Sequence, residues 1–362
     1  PFTDLLVDAK STVAYGAGAA ARIEERVVVR RADGKLVQGP DGEVQLVTLL
    51  EKLLVTLLAK LANLVIDGGL WLNTQRPEWN DANNALVGQG LSVVTLCYLR
   101  RYVAFLAGLL ESAPAQVPVS GEVATWLHGT AAALATARPG LGRGPVGPGP
   151  RLMTLTRLGE AACRYRQAVY AREGLSAPVD CPVAAIRSML ADALAAIDHT
   201  MATNRRGDGL YHAYNLMEQD GDGLLVTHLY PMLEGQVAAL SSGALEPGEA
   251  VAIVDALYAS SLYRPDQRSF LLYPDRDVPG FLEKNRVPPE RAAAIPLLAR
   301  LLEGGDDGVV TRDPDGVIRF SADLANARRL HARLDALAGR HGSEVEAARS
   351  AILELYDDVF DH

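Results

Sequence analysis

The stretch Leu46-Val47-Thr48-Leu49-Leu50-Glu51-Lys52-Leu53-Leu54-Val55-Thr56-Leu57-Leu58-Ala59-Lys60-Leu61 sets leucine at 46, 49, 50, 53, 54, 57, 58 and 61. Steps of three and one draw a broad apolar stripe down one face of a helix. Thr48, Glu51, Lys52, Thr56 and Lys60 fall on the other face. A second helix is predicted from Leu91 to Leu110, with Val94, Tyr98, Leu99, Tyr102, Val103 and Leu106 inward. The same period marks Val123–Ala137, Leu152–Arg172, Val183–Thr203, Glu249–Ser261, Ala292–Glu303, Asp323–Ala338 and Glu344–Asp358. Short hairpins are expected at Val27–Val37, around Asp33-Gly34, and at Val309–Phe320, around Asp313-Pro314-Asp315-Gly316. Pro139–Pro150, mostly Gly and Pro, reads as a flexible surface loop. No fixed internal repeat is found, so a regular solenoid is disfavoured. Helices joined by long, chemically loaded connections point to helical hairpins in a ring. The expected class is all-α, an α/α toroid forming one domain over 1–362, with short β-hairpins in its connections.

Composition narrows the function. The chain has 362 residues, 49% hydrophobic and 22% charged, which suits a globular protein and not a disordered one. Its net charge is -9 and it holds no dense Lys/Arg block, so a nucleic-acid partner is not expected. Cys97, Cys163 and Cys181 are an odd, widely spaced set without CxxC spacing; free thiols and a cytoplasmic setting follow. Glu51, Lys52 and Lys60 interrupt the longest apolar stretch, so no membrane partner is expected. The seven histidines are scattered, no GxGxxG follows a predicted strand, and GxxxxGK[ST], GxSxG and HExxH are absent. Neither a metal site nor an organic cofactor is implied.

The richest chemistry lies between the first two helices, in Arg76-Pro77-Glu78-Trp79-Asn80-Asp81-Ala82-Asn83-Asn84. Planar polar side chains pair with vicinal sugar hydroxyls, and an aromatic face covers the apolar side of a pyranose. A carboxylic acid held near the Trp79 indole would have a raised pKa and could protonate a leaving glycosidic oxygen. A helix cap needs one such residue, not six, so function is the better reading of this segment. The candidates are Asp81 and Glu78 as acids, with Arg76, Trp79, Asn80 and Asn83, joined by Trp71, as sugar contacts. Gly207 to Met217 adds Tyr211, His212, Tyr214 and Asn215, which either line a sugar subsite or pack as an ordinary loop. Tyr263 to Arg276 adds Arg268 and Tyr273, with an ion-pair loop as the equal alternative. Asp220-Gly221-Asp222-Gly223 lacks the ligands of an EF-hand and reads as a turn. Glu234, in Leu233-Glu234-Gly235-Gln236, reads as a first-turn acid placed for the helix dipole.

With Trp71, Gln75 to Gly88, Gly209 to Asn215, Leu233-Glu234-Gly235-Gln236 and Tyr273-Pro274-Asp275-Arg276, the chain resembles the six-hairpin glycosidase superfamily. The resemblance is to large bacterial proteins labelled glycogen-debranching or cellobiose-phosphorylase-like. It covers most of the chain and implies cleavage of an oligosaccharide or glycoside by water or by phosphate. Trp79-Asn80-Asp81 is similar to the Trp-Asp acid loop of trehalases and processing α-glucosidases. Its residue order differs, so the acid stays open between Asp81 and Glu78. The superfamily's second carboxylate usually comes from a late Tyr-Glu-Gly type sequence, and none precedes Asp361-His362. With Pro1 in place of an initiator Met, that implies a fragment lacking its C-terminal hairpins. The rival reading is a non-catalytic helical scaffold or glycan-binding module.

Overall fold

A computed structural model describes residues 16–39, 41–72, 86, 88–172, 174–275 and 279–360. The chain divides into two compact units, 1–275 and 276–362, each considered by itself.

In the first unit α1 (Ala17–Arg30) and a 3-10 turn at Arg31–Lys35 occupy the span expected as a hairpin. The leucine stripe becomes α2 (Leu49–Leu61), because the Thr48 side chain accepts a hydrogen bond from Glu51 N (3.1 Å) and sets its start. Leu46 and Leu49 therefore stay exposed, while Leu54, Leu57, Leu58 and Leu61 are buried. They meet Leu96, Val103 and Leu106 of α3 (Val93–Leu109), Trp126 and Leu134 of α4 (Gly121–Ala137), Leu158 of α5 (Pro148–Arg172) and Ile186, Leu190 and Ile197 of α6 (Val183–Thr203). Helices α7 (Leu233–Ser241) and α8 (Pro247–Ala259) follow. Residues Val93–Ser112 have the length and apolarity of a bilayer span, but Leu96, Val103 and Leu106 lie in this core.

The all-α toroid is overturned by β-structure. Strands β1 (Leu64–Val65), β2 (Gly69–Trp71), β3 (Gly90–Ser92), β6 (Tyr214–Asp220) and β7 (Gly223–His228) form one five-stranded antiparallel sheet in the order β1-β2-β3-β6-β7. Leu91 pairs with Asn215 and Ser92 with Tyr214, so β3 and the 207–217 segment are brought together by strand pairing. The Asp220–Gly223 turn closes the β6–β7 hairpin, with Gly221 at φ +53° first in its two-residue loop, a position that favours glycine. Two-stranded sheets join β4 (Gln116–Ser120) to β5 (Pro178–Pro182) and β8 (Tyr263–Arg264) to β9 (Ser269–Phe270).

Two polar features stand out, the first against expectation. Glu51 is buried instead of facing solvent, and its carboxylate accepts hydrogen bonds from Ser120 N (3.0 Å) and Ser120 Oγ (2.6 Å), tying α2 to the start of α4. The Gly/Pro stretch before α5 lies at the surface, as expected, and two of its backbone amides are hydrogen-bonded to buried side chains. Val146 N donates to Asp67 Oδ2 (2.9 Å) and Gly142 N to His199 Nδ1 (2.9 Å). Asp67 and His199 are both buried, and Arg151 joins them: its Nη2 lies 2.8 Å from Asp67 Oδ2, its Nε donates to Ile66 O and its Nη1 to Leu224 O.

The second unit contains α9 (Phe281–Lys284), α10 (Pro289–Ala294), α11 (Pro296–Gly304), the hairpin β10 (Val310–Arg312) and β11 (Ile318–Phe320), and α12 (Ala327–Phe360). The turn expected at Asp313–Gly316 is closed by Asp313, which accepts from Val317 N (2.8 Å) and pairs with Arg319 (2.7 Å). Gly342 (φ 36°, ψ -112°) breaks α12, so its two arms bury Leu330, Leu334 and Leu337 on one side and Ile352, Leu355 and Tyr356 on the other around Phe320.

Candidate active site

Arg76, Glu78, Trp79, Asn80, Asp81 and Asn83 lie outside the described residues. The bases of their segment are well placed: Leu72 N donates to Gly90 O (2.9 Å), and Leu72 and Leu86 pack with Ala213, Tyr214 and Met232. Trp71 is buried, and its Nε1 donates to Gly88 O (2.7 Å), so it braces the two ends of the connection instead of presenting its ring to a sugar.

Beside these bases a groove of about 510 Å³ runs between α3 and α7. Val94, Thr95 and Tyr98 form one wall, Leu233, Glu234 and Val237 the other, with Tyr214 and Leu272 between them. Tyr98, expected inward, is instead half exposed here. The groove's charged group is Glu234, half-buried in the first turn of α7. Burial, with the Glu234 carboxylate hydrogen-bonded beside it, pushes the Tyr214 hydroxyl far above the ordinary phenol range. Tyr214 and Glu234 thus form the polar part of an otherwise largely apolar groove, and a carboxylate accepts hydrogen bonds of the kind a polyol's hydroxyls donate.

Local sequence explains why Glu234 stands there. Gln236, fully buried, clamps the preceding loop in both directions: its Oε1 accepts from Tyr211 N (2.7 Å) and its Nε2 donates to Tyr211 O (2.7 Å). Gly235 lets α7 press onto Ala213, since a Cβ at this position would stand 2.9 Å from Ala213 Cβ and 3.1 Å from Ala213 N. The Ala213 carbonyl in turn accepts from Val93 N (2.9 Å) at the start of α3. The Leu233–Gln236 motif therefore joins both groove walls through one residue. Gly235→Ala is expected to cost about 1–3 kcal/mol through overpacking, seen as a lower Tm; an unchanged Tm would show that the close approach is not needed.

The remaining candidates divide by burial. Tyr211 is buried, and Asn215 is completely so, with Nδ2 donating to Gly68 O (2.6 Å) and Asn204 Oδ1 (2.8 Å). Neither presents its side chain to solvent. His212 stacks on His228 with ring centroids 3.9 Å apart and planes 8° from parallel. Tyr273 is partly exposed, edge-on to Tyr230 at 6.1 Å, and adjoins the groove residue Leu272. Arg268 is exposed at φ +50° in the β8–β9 turn. Of the described candidates, only Tyr214 lines the groove. Glu234 stands in the first turn of α7, as read from the sequence, and it also lines the groove; the pointer to that position was Gly235-Gln236, which holds the start of α7 against Tyr211 and Ala213.

The second unit supplies the comparison with a known family. Residues 278–362 match the family model of GH149 phosphorylase insertion domain 2. This insertion-domain match coincides with the second compact unit and leaves the groove-bearing unit outside it. It supports a relation to carbohydrate-active glycoside phosphorylases. No curated protein matches the chain.

Proposed function

We propose that the chain belongs to a glycoside phosphorylase acting on an oligosaccharide, with the insertion-domain match as the observation that carries the reading. Of the two labels attached to the resemblance, the phosphorylase one is the one supported. The segment after Trp71 supplies the general acid, Asp81 or Glu78, and Arg76, Trp79, Asn80 and Asn83 hold the sugar beside it. Glu234 accepts hydrogen bonds from sugar hydroxyls in the groove, and the half-exposed Tyr98 offers a ring face.

The two modes of cleavage differ in the groups they require. An inverting hydrolase needs an acid for the leaving oxygen and a base to activate water. Phosphate arrives as an anion and needs no such base. In the proposed step the bond from C1 to the glycosidic oxygen breaks and a phosphate oxygen bonds to C1. The protein's acid delivers one proton to the leaving oxygen, giving a sugar 1-phosphate and a shortened glycoside. Incubation with an oligosaccharide, with and without orthophosphate, tests this. Sugar 1-phosphate is expected only with phosphate, and sugar release at the same rate in water alone would point to a hydrolase. Binding without cleavage under either condition would favour a glycan-binding module.

A further inference from the structure

Each of the two stacked histidines lies on the segment that carries one member of the groove's polar pair. His212 is two residues before Tyr214, and His228 is six residues before Glu234. His212 N donates to Asn204 O (3.0 Å), which fixes the first segment to the end of α6. His228 Nδ1 lies 2.7 Å from Asn215 Oδ1; that oxygen can only accept, so the histidine nitrogen carries the proton. Leu229 N then donates to Tyr214 O (3.3 Å), and Met232 packs on Ala213 and Tyr214 before α7 begins.

We propose that His212 and His228 are a positioning pair for the groove: their stacked neutral rings hold the 212–214 and 228–234 segments in register, and acid releases them. Glu234 loses its fixed place opposite Tyr214 when the stack opens. Three observations carry this. The rings are nearly parallel and in contact. His212 Nδ1 is buried without a hydrogen-bond partner, so a proton placed there would have nothing to answer it. The charged groups that face the pair are Arg206, which repels a protonated ring, and Asp208, whose carboxylate is already engaged by Arg206 (2.8 Å). Asn215, the β6 neighbour, is uncharged.

Titration agrees in sign. Burial, then the neighbouring His228 and Arg206, push His212 down from 6.5 to about 4, and burial followed by Arg206 lowers His228. The unfolded segments therefore bind protons that the folded pair refuses. The stabilisation is complete above about pH 6.5 and is lost as the pH falls from there towards 4.

The test is amide hydrogen exchange over 212–214 and 229–234 at pH 7 and pH 4.5, expressed as protection factors so that the intrinsic rate cancels. No substrate is needed, so a chain that proved not to be a phosphorylase would leave this result intact. Protection in the unaltered chain is expected to fall about tenfold or more at pH 4.5. His212→Phe combined with His228→Phe keeps two flat rings that cannot titrate, and protection in this double variant should be the same at both pH values. His228→Ala should be poorly protected at both. Equal protection of the unaltered chain at the two pH values would overturn the proposal, as would a double variant with the same acid loss. Should that variant not fold, ring-proton NMR of the unaltered chain decides: both histidines must titrate below 6.5, and ordinary midpoints would contradict the pairing.

Discussion

Asp67→Ala is expected to lose about 3–5 kcal/mol of stability, the cost of leaving a buried charge without its partner. Arg151, buried with Asp67, keeps its backbone bonds to Ile66 and Leu224 but loses the carboxylate that balances its charge. The loss spreads further. His199 Nδ1 accepts from Gly142 N, so its Nε2 carries the proton donated to Asp67 Oδ1 (2.9 Å), and Val146 N also loses its acceptor. Asp67 itself sits at φ +66°, a left-handed conformation that Asp tolerates better than Ala. A typical domain is stable by about 5–15 kcal/mol, so this substitution takes a large share of the total. Urea denaturation checks it. Asp67→Asn should lose less, and Asp67→Asn combined with Arg151→Met should recover part of the loss, because no bare charge is then left inside. A loss below about 1 kcal/mol for Asp67→Ala would show that water reaches this cluster freely.

The second large effect is chemical. Under the phosphorylase reading, Asp81→Asn keeps the shape and a helix-capping side chain but removes the transferable proton. General acid catalysis contributes about 10²–10⁴-fold, so turnover should drop on that scale with the fold intact by circular dichroism. A glycoside whose leaving group needs no protonation should be affected much less. Silence at Asp81 with a comparable loss for Glu78→Gln would move the acid to Glu78. Silence at both would remove the segment from the chemistry.

The helices were legible because their apolar period is long and strong: α2 to α6 each run for thirteen residues or more and bury one face. The sheet was not. Strands β1, β2 and β3 are only two or three residues long, too short to show a period of two, and their partners lie far away, as when Leu91 meets Asn215. Helix α1 was misjudged because Val27-Val28-Val29 and Asp33-Gly34 look like half a hairpin; the helix leaves Val28 and Val29 in solvent. Gly142 and Val146 sit in a stretch whose composition suggests a free loop, yet their backbone groups answer His199 and Asp67 from far along the chain. At the groove, sequence and structure meet at Tyr214, which lines it, but composition cannot separate a buried Asn215 from a surface one. That distinction comes from the strand register, which turns Asn215 towards Asn204 and Gly68.

The most direct measurement of the account is the product formed from an oligosaccharide in the presence of isotopically labelled orthophosphate. The account predicts that label enters a sugar 1-phosphate, that its amount equals the amount of shortened oligosaccharide, and that either Asp81→Asn or Glu78→Gln lowers both together. Free reducing sugar formed without incorporation of label would contradict it.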